Sequence, residues 1–265
     1  SKCFHGLDQA AFFAPLTRFF ARPKTIEEIP EAVVGAFKAL RAPRPGPAVI
    51  ELPVDVASDK GITDIPNSVI GDRPQPDAEA IRLAAKILRS SNHLAIVAGG
   101  NVIASESAGE LVALAESLNA PVILTRLGKG AFPDGHPLCG GHCNGKLARQ
   151  IFQKADGLII AGSRFTQIDS SNWSISLPDR RIQFDPDPKE IGREIPVDVG
   201  VSGDLKQALP QLQTAIQDVG ISNSGWKDIL DQMRKEVTAD RPPLPVMSAM
   251  YDALPDDAIF SVDVT

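Results

Sequence analysis

A series of short, almost uninterrupted apolar runs limits this chain to very few architectures. They fall at 93–98 (His-Leu-Ala-Ile-Val-Ala), 121–125 (Pro-Val-Ile-Leu-Thr), 157–161 (Gly-Leu-Ile-Ile-Ala), 181–185 (Arg-Ile-Gln-Phe-Asp) and, more briefly, 197–201. A strand with one wet face alternates apolar and polar residues. One that is apolar throughout has both faces covered, which is the condition of a parallel sheet. Between these runs lie segments of helical periodicity. Asp77 is placed to cap a helix carrying Ile81, Ala84, Ala85 and Leu88, and Ser107 with Glu110 reads as a capping box ahead of Leu111, Leu114 and Leu118. A third helix holds Leu147, Ile151 and Phe152, and Asp187-Pro188 reads as an N-cap with proline at the first helical position. The last carries Leu205, Leu209, Leu212 and Ile216, with Pro210 expected to kink it. Strands and amphipathic helices in alternation give an α/β fold, a Rossmann-like doubly wound parallel sheet, over residues 77–218.

Both flanks read as partial α/β domains. Near the start, Thr25 and Glu28 have the spacing of a capping box, and Ile29, Val33, Phe37 and Leu40 form one apolar helix face. Residues 48–52 (Ala-Val-Ile-Glu-Leu) then read as a strand that Pro53 must end, because proline has no N–H for a ladder. The pattern gives a first unit over 1–57 and a linker over 58–76, where Asp, Gly, Pro, Ser and Asn accumulate. A second linker spans 219–243; it contains a helix at 226–237 and the stiff Asp-Arg-Pro-Pro-Leu-Pro at 240–245. The last unit, 244–265, offers a helix at 246–254 and a strand at 258–264 with nothing behind it to pair.

Bulk properties exclude several function classes. At 265 residues with 43% hydrophobic content the chain can bury a large core. A net charge of -6, with Lys and Arg scattered, leaves no electrostatic footprint for nucleic acid. No apolar run approaches the ~18 residues of a membrane span, so no membrane partner is expected. Three cysteines in a long chain suggest a reduced, cytoplasmic protein rather than a disulfide scaffold.

Several motifs occur in a consistent order. Arg44-Pro45-Gly46-Pro47 leads into the strand and Pro53-Val-Asp-Val56; Leu7-Asp-Gln-Ala and Ala14-Pro-Leu-Thr-Arg-Phe precede it. Further on come Ala98-Gly-Gly, Gly128-Lys-Gly-Ala-Phe-Pro133, Gly162-Ser-Arg164, Phe184-Asp-Pro-Asp-Pro188 and Gly203-Asp204, then Leu254-Pro-Asp-Asp-Ala-Ile-Phe-Ser-Val-Asp-Val264. Together they resemble thiamine-diphosphate-dependent enzymes of the acetolactate synthase and benzoylformate decarboxylase type. The resemblance covers the end of the pyrimidine domain, the central domain and the opening of the pyrophosphate domain. It implies an internal part of a longer transferase or lyase that joins or decarboxylates a 2-keto acid, assembled as a homodimer or homotetramer. Thiamine diphosphate and Mg2+ would serve the intact enzyme. The glutamate that activates the cofactor and the Gly-Asp-Gly…Asn motif that holds its metal match no residue here, so no catalytic residue is assigned.

In acetolactate synthase relatives the central domain holds FAD, and in some others an ADP-like group. The matching positions are Gly99, Gly100, Thr125, Arg126, Gly141, His142, Gly162, Arg164, Asp185 and Asp187. Small residues after a strand let backbone approach phosphate, although Gly99-Gly100-Asn101 is an incomplete dinucleotide fingerprint and also suits a tight turn. An alternative is a nucleotide-binding (NAD or ADP) regulatory module without catalysis. His136, Cys139, His142 and Cys143 crowd together, but their spacing does not fit paired zinc ligands; they read as a Gly-rich loop with reduced thiols, and no metal site is assigned.

Overall fold

The computed structural model describes residues 6–42, 45–66, 73–219, 226–240, 244–255 and 257–259. In chain order the elements are α1 (Gln9–Phe13), β1 (Phe19–Ala21), α2 (Ile29–Leu40), β2 (Ala48–Ile50), α3 (Val54–Ser58), α4 (Ala78–Leu88), β3 (Leu94–Ala98), α5 (Gly100–Ala104) and α6 (Ala108–Leu118). There follow β4 (Val122–Leu124), β5 (Cys139–His142), α7 (Lys146–Lys154), β6 (Gly157–Ala161), β7 (Arg180–Asp185), β8 (Val199–Ser202), α8 (Leu205–Val219), α9 (Trp226–Asp240) and α10 (Pro245–Ala253).

The apolar runs assemble into a six-stranded, wholly parallel sheet of order β5-β4-β3-β6-β7-β8. Counted from its own first strand this is 3-2-1-4-5-6, the doubly wound order. Every residue of β3 and β6 is buried, because α4, α6 and α8 pack together as one layer while α7 packs with α9 as another. The helices bury the faces that periodicity marks: Ile81, Ala84, Ala85 and Leu88 in α4, and Leu205, Leu209, Leu212 and Ile216 across α8. Asp77 caps α4 by accepting from the Glu79 and Ala80 N–H groups. Helix α8 continues through Pro210.

Some local expectations fail for identifiable reasons. Ser107 makes no cap to α6; its hydroxyl instead donates to Val102 O (3.2 Å) and bonds Ser105 Oγ (2.8 Å), tying α6 to α5. At Thr25 a turn of 3-10 helix intervenes before α2, and Glu28 reaches past Thr25 to the Lys24 N–H (2.8 Å). The Thr25 hydroxyl serves Glu27 and holds that carboxyl below its usual range. Asp187 caps a turn through the Lys189 N–H (3.0 Å), with no helix behind it. The segment at 139–142 is edge strand β5 rather than loop. Arg234 of α9 donates to Pro137 O (2.5 Å) and Cys139 O (2.8 Å), and Trp226 is fully buried. Helix α9 thus packs against the core through Trp226 and Leu230.

Ahead of the main sheet, β1 and β2 form a two-stranded parallel pair with Phe19 opposite Ala48. Helix α2 lies on it through Ala32 and Ala36, its two buried residues. Val33, Phe37 and Leu40 are 38%, 53% and 45% exposed, so the expected apolar face is there but faces outward. Of the strand expected at 258–264, residues 260–264 lie outside the described residues, as do Arg44 and one of the three cysteines, Cys3.

Candidate functional site at the switch point

The chain leaves β3 toward β4 and β5, then returns to lay β6 against the other side of β3. The loops at the carboxyl ends of β3 and β6 therefore part in opposite directions, and a crevice opens between them. There a cavity of about 390 Å³ is lined by Gly100, Asn101, Ile103, Ala104, Thr125, Leu127, Gly162, Ser163, Arg164, Thr166 and Asp169. Its size is that of a small-molecule site.

Backbone bonds hold the two walls together. Gly99 N donates to Ala161 O (2.9 Å), and Asn101 N to Gly162 O (3.1 Å). The approach is so close that a β-carbon on Gly99 would stand 2.3 Å from Gly162 O, and one on Gly162, at φ +61°, 2.7 Å from Asn101 Cβ. These glycines are required by the crossing itself, before any ligand is considered. Asn101 is steadied from a third strand end, where its Nδ2 donates to Asp185 Oδ2 (3.3 Å) while Asp185 Oδ1 accepts the Asp187 N–H (2.9 Å). Burial raises the Asp185 carboxyl to about 6, with the carboxylates of Glu190 and Asp187 adding to the effect.

The floor is built around Thr125 and Asp169. Thr125 Oγ1 donates to Ala98 O (3.2 Å) and accepts from Gly128 N (3.1 Å), locking the turn after β4. Asp169 accepts the Arg126 N–H at Oδ1 (3.0 Å) and the Thr166 hydroxyl at Oδ2 (3.0 Å). Cys143, immediately after β5, points its thiol at Asp169 Oδ1 (3.7 Å); burial, with the facing carboxylate, pushes the thiol up to about 12. Beyond the cavity Ser171, Asn172 and Trp173 hold positive φ of 50°, 58° and 57°, a left-handed turn costly for residues with side chains.

Of the residues singled out from sequence, Gly100, Thr125, Gly162 and Arg164 line the cavity. Gly99 sits behind it and Asp185 reaches it through Asn101. Arg126 contributes its N–H to Asp169, Gly141 and His142 belong to edge strand β5, and Asp187 meets the site through Asp185. Asn101 and Ser163 adjoin chosen glycines and were legible by proximity. Leu127, Thr166 and Asp169 carry no local signal; only the fold brings them in.

Residues 81–212 match the family described as thiamine pyrophosphate enzyme, central domain. The "Probable acetolactate synthase large subunit" of Methanocaldococcus jannaschii is 33% identical over 88% of the chain and 41% of its own length. The sulfoacetaldehyde acetyltransferase of Rhodobacter capsulatus is 30% identical over 98% of the chain and 50% of its own length. A solved structure described as a thiamin diphosphate-dependent enzyme from Mycobacterium smegmatis superposes with a TM-score of 0.67 at 23% identity, covering 79% of this chain and 41% of that one. That superposition bears on fold alone.

The chain belongs to the thiamine-diphosphate-dependent enzyme family, and its doubly wound sheet is that family's central domain. It is similar to acetolactate synthase large subunits, and spans half or less of the length of these relatives. Because they match the flanks as well as the central sheet, an isolated nucleotide-binding module is not favoured. Among the described residues no helix is long and apolar enough to cross a membrane.

Proposed function

We propose that this chain is the central part of a thiamine-diphosphate-dependent carboligase or decarboxylase, acetolactate synthase-like, that acts on a 2-keto acid. The observation that carries the reading is the ordered match across 88–99% of the chain to proteins designated acetolactate synthase large subunits and, from Pseudomonas aeruginosa, "Probable 2-ketoarginine decarboxylase AruI". In such an enzyme thiamine diphosphate, bound with Mg2+, supplies the carbanion chemistry. No residue of this chain is assigned to that cofactor, and the role proposed for the chain's own residues is architectural and ligand-holding. A cytoplasmic homodimer or homotetramer is the assembly that accompanies this reading.

The switch-point cavity is the seat we assign to an adenine nucleotide, either ADP or the adenylate part of FAD. Supporting this are its place at the strand ends, a volume within the small-molecule range and the exposed guanidinium of Arg164 at its wall. Gly100 and Gly162 leave that wall bare of side chains, and Asp185 positions the Asn101 amide beside them.

Two measurements test the two levels separately. Decarboxylation of a 2-keto acid panel by the native polypeptide that carries this chain should depend on both thiamine diphosphate and Mg2+; turnover indifferent to them would refute the enzymatic reading. Calorimetric titration with ADP and with FAD should show one site per chain, and Arg164→Ala should weaken it about tenfold, the loss of one charge-assisted contact. Absence of binding by either nucleotide would leave the cavity a purely structural crevice.

A further inference from the structure

At the end of edge strand β5, His142 stands exposed while the next side chain, Cys143, turns into full burial against the loop after β6. With Asp169 from that loop they bring one imidazole nitrogen, one sulfur and one carboxylate oxygen within 4.8 Å of one another. Cys143 Sγ lies 3.9 Å from His142 Nδ1 and 3.7 Å from Asp169 Oδ1. In a tetrahedral zinc site with bonds of about 2.0–2.3 Å, neighbouring ligand atoms stand ~3.6 Å apart. The sulfur is therefore already within a few tenths of an ångström of that spacing from both partners.

The surrounding bonds prepare the donors. Asn144 N–H donates to His142 Nδ1 (3.2 Å), which marks that nitrogen as the one carrying the lone pair in the neutral ring. Asp169 is oriented by the Thr166 hydroxyl on Oδ2 and the Arg126 N–H on Oδ1, and the second lone pair of Oδ1 faces the Cys143 thiol and is released when that thiol loses its proton. Such outer partners are what fixes a ligating carboxylate in place. One sulfur, one imidazole and one carboxylate form a donor set for a borderline cation rather than for Mg2+ or Ca2+, which take oxygen.

We propose that His142 Nδ1, Cys143 Sγ and Asp169 Oδ1 form a three-ligand site for a divalent cation of the zinc class, with water as the fourth ligand. On binding, the thiol proton leaves to solvent as the sulfur–metal bond forms, and the Asn144 N–H gives up Nδ1. The cluster adjoins the cavity assigned to the nucleotide, with Asp169 common to both, and its cobalt test reads the cluster alone.

The test is titration of the reduced chain with Co2+, followed by absorbance. One equivalent should produce a thiolate-to-cobalt charge-transfer band in the near ultraviolet, which an equivalent of Zn2+ then removes. Cys143→Ser should abolish the band, Cys139→Ser should leave it, and Asp169→Asn should weaken binding at least about tenfold. Circular dichroism checks folding; should a buried substitution unfold the chain, His142→Ala at the exposed position should still weaken cobalt at least about tenfold. No charge-transfer band in the parent chain, a band that survives Cys143→Ser, or one indifferent to His142→Ala overturns the assignment.

Discussion

Asp185 is a carboxyl held at the edge of ionisation inside a folded wall. Its folded value, about 6 against an ordinary 3.8, means that between these limits the native state binds more protons than the unfolded chain. This group therefore leaves the fold unpenalised below about pH 4 and opposes it increasingly as pH rises through 6, by up to ~3 kcal/mol. Asp185→Asn should therefore gain stability relative to the parent chain as pH rises from 4 to 7.5, with Asn101 free to turn its amide to suit. Urea denaturation at both pH values reads this directly, and a stability difference that does not change with pH would show that solvent relieves the buried charge. Gly162 is the complementary case, a position where geometry leaves no choice. Gly162→Ala should destabilise by about 2 kcal/mol or more, because φ +61° and a contact of 2.7 Å to Asn101 Cβ act together. An unchanged urea midpoint would mean that the two loops can separate without cost.

At the scale of the element, helix α8 combines a well-buried face with a residue that works against it. Leu205, Leu209, Leu212 and Ile216 are buried at helical spacing, so Leu209→Ala should cost about 2–5 kcal/mol by thermal or urea unfolding. Pro210, exposed and inside the helix, removes one backbone bond; Pro210→Ala should stabilise by about 2 kcal/mol, the ~3 kcal/mol helix penalty less what proline contributes by restricting the unfolded chain. The same elements show why some of the fold was legible in sequence. Strands such as 157–161 are buried on both faces and therefore apolar at every position, and α4 buries the four residues its spacing selects. Strand β5 was not legible, since Cys-Gly-Gly-His has neither alternation nor β-branched residues and its pairing comes from β4 alone. The capping boxes misled because a serine or threonine near a helix start has other partners: Ser107 took Val102 O, which lies nearby only once α5 has folded.

Across the whole molecule, the parts of the candidate site that sequence revealed are those that follow a strand directly, where a glycine interrupts apolar periodicity. Asp169, which joins the cavity to the His142–Cys143 cluster, comes from a long loop and was reachable only through tertiary structure. The same contrast between locally and globally determined parts appears in packing. Strands β3 and β6 are buried at all ten of their positions, five in each, beneath helices on both sides. Strands β1 and β2 are three residues each, nowhere fully buried, and the helix over them turns Val33, Phe37 and Leu40 outward. A two-stranded pair with one incomplete cover has little apolar burial to oppose local opening. Native-state hydrogen exchange should accordingly divide the chain: amides of Val97 and Ile159 should open only with global unfolding, while those of Phe20 and Ile50 should exchange at free energies several kcal/mol lower. Phe37→Ala, at a half-exposed position, should leave the protection of β3 and β6 unchanged. Equal protection in both sheets would mean that the outward apolar face of α2 is covered in solution, and that the small sheet shares the cooperativity of the large one.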